Sequence, residues 1–123
     1  WSSDVCSSDL VCHAIEAHSF SANLPAESIE AKLIQDADRM ESLGAIGLAR
    51  VFYTSGRMQR SLFDPVDPLA KHRPLDDLQY ALDHFFVKLY KVADSMQTHA
   101  GREMARARRA VLARYVEDLL QEL

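Results

Sequence analysis

Large apolar residues recur at alternating intervals of four and three positions in the second half of the chain. The series consists of Leu78, Leu82, Phe85, Leu89, Val92 and Met96. This spacing returns to the same side of an α-helix every two turns, whereas the side chains of a strand alternate with period two. No segment of the chain alternates with period two, so the sequence predicts an all-α fold.

Further helices are predicted on both sides of this one, which starts at a capping-box-like Asp76 and Gln79. A short helix covers Val11 to His18, and a longer one begins near Glu27 and continues, past a break permitted at Gly44 and Gly47, to about Tyr53. The last helix runs from a cap at Thr98 to Leu123. Residues 54–76, which include three prolines, are expected to form a long loop, and irregular loops of this length are usually functional or disordered.

Two of these helices have a pattern that predicts which side is buried. In the helix that begins near Glu27, one stripe contains Ile29, Leu33, Met40 and Leu43, and the opposite side contains Ala31, Ile34 and Ala45. We therefore expect both sides to be covered and this helix to be central. In the last helix, the residues expected to face inward are Met104, Val111, Tyr115 and Leu119, and those expected to face outward are Arg102, Arg106, Arg108, Arg109 and Arg114.

The first ten residues, WSSDVCSSDL, differ from the rest of the chain. They contain four serines and the single tryptophan, and they have no helical or strand period. This tract resembles the conceptual translation of a common sequencing adapter. We interpret residues 1–10 as a non-native artefact and residues 11–123 as the C-terminal part of one helical domain, truncated at its N-terminus; a disordered natural N-terminus is the alternative.

Charge and composition exclude several classes of protein. The formal net charge is −4, which disfavours binding to nucleic acid through bulk electrostatics, and aromatic residues are not interleaved with the arginines of the last helix. No run of 18 apolar residues and no signal-like N-terminal stretch occurs. The sequence therefore predicts a cytoplasmic protein with neither a membrane nor a nucleic acid as its partner.

Two carboxylates near the end of the central helix are candidates for chemistry. On the helical wheel, Asp36 falls within the Ile29 stripe and Asp38 falls beside Ala31, so both point toward surfaces expected to be covered. A carboxylate removed from water is costly unless it is paired, hydrogen-bonded or bound to metal. Metal or catalytic use is one explanation, and a salt-bridged structural aspartate or a more exposed helix is the other.

The remaining candidates are histidines and basic residues. His18 ends the first helix and could ligate a metal, contact a phosphate or merely cap free carbonyl groups. His84 and Lys88 stand four residues apart on a face shared with Tyr80 and Lys91, where they could bind an anion together or be solvated. In the long loop, Arg57 and Arg60 could close over phosphate groups.

A series of short segments, in order and well spaced, resembles the second half of small bacterial HD-domain phosphohydrolases. The segments are His18-Ser19-Phe20-Ser21, Glu30-Ala31-Lys32, Gln35-Asp36-Ala37-Asp38-Arg39-Met40, Leu43-Gly44-Ala45-Ile46-Gly47, Ala49-Arg50, His84-Phe85, Lys88-Leu89, Thr98, Gly101-Arg102, Ala105 and Arg108. The resemblance covers Val11 to the C-terminus. It implies an HD-domain-like helical bundle and hydrolysis of a nucleotide or related phosphate ester, including nucleoside-triphosphate pyrophosphohydrolysis.

The resemblance also implies roles for particular residues. Proteins of this kind hold a divalent metal, with manganese or magnesium favoured, through a His, a His-Asp dipeptide and a later Asp, and Asp38 corresponds to the later Asp. His18, Asp36 and Lys88 are implied to be catalytic, with Asp36 orienting His18 or Arg39. The residues implied to bind substrate are Arg39, Arg57, His84 and Lys88.

One part of the family pattern is missing, because no His-Asp dipeptide and no counterpart of the first metal-binding His occur in the sequence. We therefore expect the 123-residue chain to have an incomplete metal site and no activity, although its full-length parent is an enzyme. The alternative is a non-catalytic helical module that binds a nucleotide or a protein. If the domain is truncated, apolar helix faces left bare where the missing helices packed are expected to cause poor solubility or self-association.

Overall fold

The computed structural model describes residues 3–20 and 22–123, with side chains from Ser8 onward. The described part of the chain contains five α-helices, one of which directly follows a π-helical turn. They are α1 (Ser3–Ala17), α2 (Ile29–Met40), α3 (Gly44–Arg57), the π-helical turn Phe85–Leu89 continued by α4 (Tyr90–Asp94), and α5 (His99–Glu122). Apart from one isolated bridge between Ser61 and Tyr80, these residues contain no β-structure. The all-α prediction is confirmed.

Helix α1 begins earlier than the sequence predicted. It starts at Ser3 rather than at Val11, so the tract interpreted as non-native is helical from Ser3 to Leu10. Trp1 and Ser2 lie outside the described residues. Whether the tract is native remains a prediction, since a helix can form on either interpretation.

Helix α2 starts at Ile29, two residues after the predicted Glu27, and Ser28 caps it. The hydroxyl of Ser28 accepts a hydrogen bond from the Ala31 N–H at 3.1 Å, and Glu30 places a negative charge in the first turn. The break after α2 depends on Gly44, whose φ of +70° favours glycine. At Gly47 a Cβ would lie 2.2 Å from the Ser42 carbonyl oxygen, so a second glycine is required for the chain to turn this sharply.

Helix α2 has one buried face, which contradicts the predicted two-sided burial. The buried residues follow one another at helical spacing and are Ala31, Gln35, Asp36, Arg39 and Met40. Near Ala31 this face is covered by a cluster of small residues, Ala14, Ala17 and Ala26, and near Met40 it is covered by α4 and α5. Ile29, Leu33 and Ile34 are exposed, so the two predicted stripes lie at the edges of the buried face.

The main core lies between α3, the π-helical turn, α4 and α5. Of the predicted apolar series, the residues from Leu82 to Met96 are buried, but Leu78 is 76% exposed because residues 76–82 form turns rather than helix. Phe52 and Phe85 both pack against Tyr115, with ring centroids 5.3 and 6.1 Å apart. These aromatic contacts join α3, the π-helical turn and α5 into one core.

Helix α5 matches the predicted burial only in part. Tyr115 and Leu119 pack against the core as predicted, but Met104 and Val111 are exposed. The buried residues of the helix are Gly101, Ala105, Leu112 and Val116. Small residues at two of these positions allow close contact with α2, where Arg108 lies over Gly44 and donates to the Met40 carbonyl oxygen at 3.1 Å. The predicted N-terminal cap is confirmed, because the Thr98 hydroxyl accepts from the Gly101 N–H.

The long loop is longer and more ordered than expected. Helix α3 extends to Arg57, so the loop covers residues 58–82 rather than the predicted 54–76. Arg73 fixes the loop by pairing with two carboxylates. It donates to both oxygens of Asp83, at 2.6 and 3.0 Å, and its Nε lies 2.8 Å from an oxygen of Asp64, with which it forms an ion pair. Asp83 is fully buried, and its carboxylate also accepts from the Asp76 N–H at 2.7 Å.

The two ends of this loop are joined by backbone hydrogen bonds. The Ser61 N–H donates to the Gln79 carbonyl oxygen at 3.0 Å, and the Ala81 and Leu82 N–H groups donate to the carbonyl oxygens of Ser61 and Leu62 at 2.8 and 2.9 Å. We call these pairs the loop neck. The neck places Arg60, at one end of the loop, near His84, at the other.

Candidate functional site

Basic side chains converge on a cavity of about 260 Å³ beside the loop neck. Arg50 and Thr54 come from α3, Arg60 comes from the start of the long loop, and His84 and Lys88 come from the π-helical turn and the residue before it. The remaining lining residues are Ser42, Gly47, Val51 and Leu89. We call this the anion cavity, because its three permanent positive charges suit a phosphate or carboxylate ligand.

Local structure explains why these groups meet. Gly47, Arg50, Val51 and Thr54 follow one another at helical spacing, so they line one side of α3. π-Helical turns often occur at functional sites, and here the turn carries Lys88 while His84 immediately precedes it.

The charge of the cavity is only partly neutralised. Arg50 lies 3.6 Å from Glu41, but both side chains are largely exposed, so this pair is weak. The Nε of Arg60 is buried and has no hydrogen-bond partner among the described residues. Because Arg60 lines the cavity, its guanidinium could donate to a ligand oxygen there.

His84 is oriented by a neighbouring carboxylate. Its Nδ1 lies 2.8 Å from an oxygen of Asp77, and both side chains are partly buried. A carboxylate in this position accepts from Nδ1–H and leaves Nε2 for another partner. His84 can therefore donate to a ligand oxygen from Nε2 when the ring is protonated, or accept a proton there when it is neutral.

The four-residue face predicted from the wheel is only partly reproduced. His84 and Lys88 both line the anion cavity, as expected. Tyr80 instead lies under the Arg73 guanidinium, 4.5 Å from the ring centroid, and Lys91 is exposed outside the cavity. Tyr80 departs from the predicted face because residues 76–82 are not helical, and Lys91 follows the π-helical turn, which changes the helical spacing between Lys88 and Lys91.

Asp38 does not point toward a covered surface, contrary to the sequence prediction. It is exposed on α2, one turn before Ser42 of the anion cavity. Asp38 lies outside the buried face of α2, whose residues toward the end of the helix are Gln35, Asp36, Arg39 and Met40. In the part of the chain described, no three His, Cys, Asp or Glu residues are grouped so that they could hold a metal ion. These residues alone therefore do not fit a manganese or magnesium ion.

Asp36 is covered, as predicted, and is 4% exposed. Its carboxylate accepts from the Gln97 N–H at 2.7 Å, from the Thr98 N–H at 2.8 Å and from the Thr98 hydroxyl at 2.7 Å. These bonds tie α2 to the N-terminus of α5. Asp36 thus does not contact His18, and its visible contacts are structural.

The other predicted site residues lie apart from the anion cavity. His18 is exposed, and its Nδ1 donates to the Ile15 carbonyl oxygen, which is the capping contact that was the alternative to a catalytic role. Arg57 is exposed at the end of α3, and its neighbour in the sequence pattern, Arg60, lines the cavity instead. Arg39 is buried in a second cavity, where desolvation lowers its pKa and the nearby Asp36 and Asp38 partly oppose this.

Sequence reasoning did not assign Arg50 to the site. The available signal was the spacing of Gly47, Arg50 and Thr54, which puts a glycine, a cation and a hydroxyl on one side of a helix. Such a pattern is ordinary on a solvated helix. Only the position of the π-helical turn opposite α3 makes it informative.

Comparisons with known proteins identify homologues of this chain. No family model matches it. The YpgQ protein of Bacillus subtilis (strain 168) is 35% identical over 119 residues, which are 94% of this chain and 52% of that protein. The chain thus spans about half the length of the curated relative it matches.

Solved structures share the fold. The crystal structure of Bacillus subtilis YpgQ in complex with ADP is 35% identical, with a TM-score of 0.71 over 94% of this chain and 52% of that one. An HD-superfamily hydrolase from Bacillus thuringiensis is 39% identical, with a TM-score of 0.72 over 94% of this chain and 52% of that one. The predicted HD-domain-like helical fold is therefore confirmed, and the resemblance to hydrolases of this superfamily is supported. Among the described residues, no helix is both long and apolar enough to cross a membrane.

Proposed function

We propose that this chain carries the phosphate-binding half of a phosphohydrolase that acts on a nucleotide or a related phosphate ester or phosphoanhydride. The observation that carries the proposal is the convergence of Arg50, Arg60, His84 and Lys88 on one cavity. The ADP bound in the YpgQ crystal structure gives independent support, because that protein is homologous to this chain.

Within this proposal, the cavity groups bind and neutralise phosphate oxygens. Arg50 and Arg60 supply planar guanidinium groups that can bind two oxygens each, whereas Lys88 supplies a point charge. His84, held by Asp77, donates to a phosphate oxygen when protonated or takes up a proton at Nε2 when neutral. Groups of this kind stabilise charge that develops on phosphoryl oxygens during transfer.

ADP binding to the 123-residue chain tests the phosphate site directly. In isothermal titration calorimetry we expect Lys88→Met to weaken ADP binding about tenfold, the equivalent of about 1.4 kcal/mol for one charge-assisted contact. Lys91→Met is the matched control, because Lys91 is an exposed lysine three residues away that does not line the cavity. Equal effects of the two substitutions would contradict the proposal.

Hydrolysis is proposed for the longer parent and not for the chain alone. Asp38 is exposed, and among the described residues it belongs to no group of three His, Cys, Asp or Glu side chains that could hold a metal ion. We expect no release of phosphate or pyrophosphate from nucleoside triphosphates by the purified chain, with or without manganese or magnesium. Turnover by the chain at a rate above that of a Lys88→Met control would refute this expectation.

In the parent protein, Asp38→Ala is expected to abolish hydrolysis and leave ADP binding through the cationic groups. The assay compares released phosphate with ADP affinity in the same preparation. A parent that binds ADP but hydrolyses no phosphate ester would instead indicate the non-catalytic nucleotide-binding module.

A further inference from the structure

Another cavity, of about 250 Å³, lies between α4 and α5. Arg102, Arg106 and Arg109 line it from α5, and Ala93 and Asp94 line it from the end of α4. None of these residues lines the anion cavity. We call it the arginine cavity.

The three arginines form a row on one side of α5. They are four and three residues apart, so their side chains leave successive turns of the helix in nearly the same direction. With a rise of about 1.5 Å per residue, the row extends over about 10.5 Å of the helix axis. An elongated ligand that lies along the helix can therefore contact all three side chains.

Two of the guanidinium groups are held in place by the surrounding chain. The Arg109 guanidinium lies over the Tyr90 ring, 4.5 Å from its centroid. Arg102 donates from Nη1 to the Gln97 carbonyl oxygen at 3.0 Å. Groups that are ordered before a ligand arrives lose less conformational entropy when it binds, so these contacts favour binding.

The arginine side chains are accessible as well as ordered. The side chain of Arg106 is 76% exposed and that of Arg109 is 42% exposed, and Arg102 is also exposed. The ion-pair partner of Arg109, Asp94, lies 3.8 Å from its Nε, which is too far for a hydrogen bond. A ligand that enters the cavity can therefore reach the arginines.

Nearby carboxylates neutralise the row only in part. Asp94 is the one acidic residue among the described residues of the lining, so three arginines and one aspartate leave a formal charge of +2. Glu103 lies 3.1 Å from Arg106, but both side chains are more than half exposed, so this pair is weak. The cavity therefore keeps a net positive charge that favours an anion.

The arrangement favours a chain of phosphate groups over other anions. Each guanidinium can bind two phosphate oxygens, and a triphosphate presents oxygens along its length, whereas a single phosphate or carboxylate cannot extend along the row. No aromatic residue is found among the described residues that line the cavity, and the nearby Tyr90 ring is covered by Arg109. The cavity thus offers no free ring on which a nucleotide base could stack.

We propose that the arginine cavity is a phosphate-chain site, separate from the anion cavity, in which Arg102, Arg106 and Arg109 bind an unbranched triphosphate without recognising a base. Free tripolyphosphate and the triphosphate of a nucleotide share this chemistry. The site does not depend on the proposed phosphohydrolase function.

The first experiment compares tripolyphosphate, orthophosphate and adenosine triphosphate in the absence of divalent metal. Each is titrated into ¹⁵N-labelled chain that carries Lys88→Met, which weakens the anion cavity, and the amide signals of Ala93 and Asp94 are followed. Tripolyphosphate should give saturable shifts, orthophosphate should bind at least about tenfold more weakly, and adenosine triphosphate should bind within about tenfold of tripolyphosphate.

Two kinds of result in this experiment would overturn the proposal. The first is the absence of a saturable shift, or equal affinities for tripolyphosphate and orthophosphate. The second is an affinity for adenosine triphosphate more than about tenfold above that for tripolyphosphate, because it would show that the base is recognised.

Charge-matched variants provide the second experiment. Arg106→Gln removes the middle charge of the row and should weaken tripolyphosphate binding about tenfold. Arg114→Gln is the control, because Arg114 is an exposed arginine of the same helix that does not line the cavity. Equal effects of the two substitutions would indicate a response to overall charge and would refute the site.

Asp94→Asn should change the affinity in the opposite direction. It removes the negative charge of the lining and should tighten tripolyphosphate binding about twofold to fivefold. An unchanged or lower affinity would contradict the placement of the ligand beside Asp94. If these tests failed while ADP binding still depended on Lys88, this proposal would be wrong and the proposed function would stand.

Discussion

Substitutions of Asp36 and Asp38 test the inference that the Asp36 carboxylate stabilises the fold and the Asp38 carboxylate does not. They stand two residues apart on α2, yet Asp36 accepts three hydrogen bonds from Gln97 and Thr98, and Asp38 is exposed. We expect Asp36→Asn to destabilise the chain and Asp38→Asn to leave its stability almost unchanged. The two variants remove one negative charge each, so they are matched in net charge.

The expected loss follows from the geometry of the three bonds. One Asp36 oxygen accepts from the Gln97 N–H, and the other accepts from the N–H and hydroxyl of Thr98. Asparagine keeps one acceptor oxygen and turns an NH₂ group toward the remaining donors, so one or two bonds are lost. At the lower end of the range for bonds to a charged acceptor, because the donors are only partly buried, the cost is about 2 kcal/mol.

Urea unfolding followed by circular dichroism measures this loss. With an m-value of about 1.5 kcal/mol/M, a loss of about 2 kcal/mol lowers the midpoint by about 1.3 M urea. Asp38→Asn should shift the midpoint by less than about 0.3 M, since exposed substitutions usually change stability by under 0.5 kcal/mol. Equal midpoints for the two variants would refute the argument that Asp36 holds α5 to α2.

Three further outcomes are expected. Gly101→Ala should lower the melting temperature, because its Cβ would lie 2.3 Å from the Asp36 carboxylate. Gly56→Ala, where a Cβ would have nothing within 4 Å, should stabilise α3 by about 0.5–1 kcal/mol. The reverse order of melting temperatures would contradict the packing described. Hydrogen bonds from the backbone N–H groups of residues 72 and 71 lower the pKa of Asp67 from its ordinary 3.8. The stabilising effect of these bonds is therefore present above pH 3.8 and is lost as the pH falls through the lower folded-state value. Asp67→Asn should remove this part of the acid dependence of the melting temperature. Ile34→Lys, at a half-exposed position in an apolar groove with α1, should reduce self-association in sedimentation velocity, and an unchanged distribution would show that this groove does not mediate it.

The helices could be predicted from the sequence because their apolar spacing is local. Leu82 to Met96 and the Thr98 cap are where the pattern placed them. The apolar pattern could not show which face of α2 is buried. That face includes the polar residues Gln35 and Arg39, which an apolar pattern does not mark, whereas Ile34 is exposed.

The site was predicted in part for a related reason. His84 and Lys88 are four residues apart, so their proximity is a property of the local chain. Arg50 and Arg60 join them only because the loop neck and the π-helical turn bring distant segments together. Arg39 was expected to bind substrate together with His84 and Lys88, but it lines the second cavity and not the anion cavity.

Because the loop neck holds the two ends of the long loop together, the conformation of the loop can change without changing the geometry of the anion cavity. Ser61 and Leu62 are hydrogen-bonded to the chain at residues 79–82, so the intervening residues form a closed excursion whose ends are fixed together. A change in the length of this excursion, for example at Val66, which is 91% exposed, alters the loop-closure entropy only slightly. Related proteins can therefore gain or lose residues there without moving Arg60 away from His84.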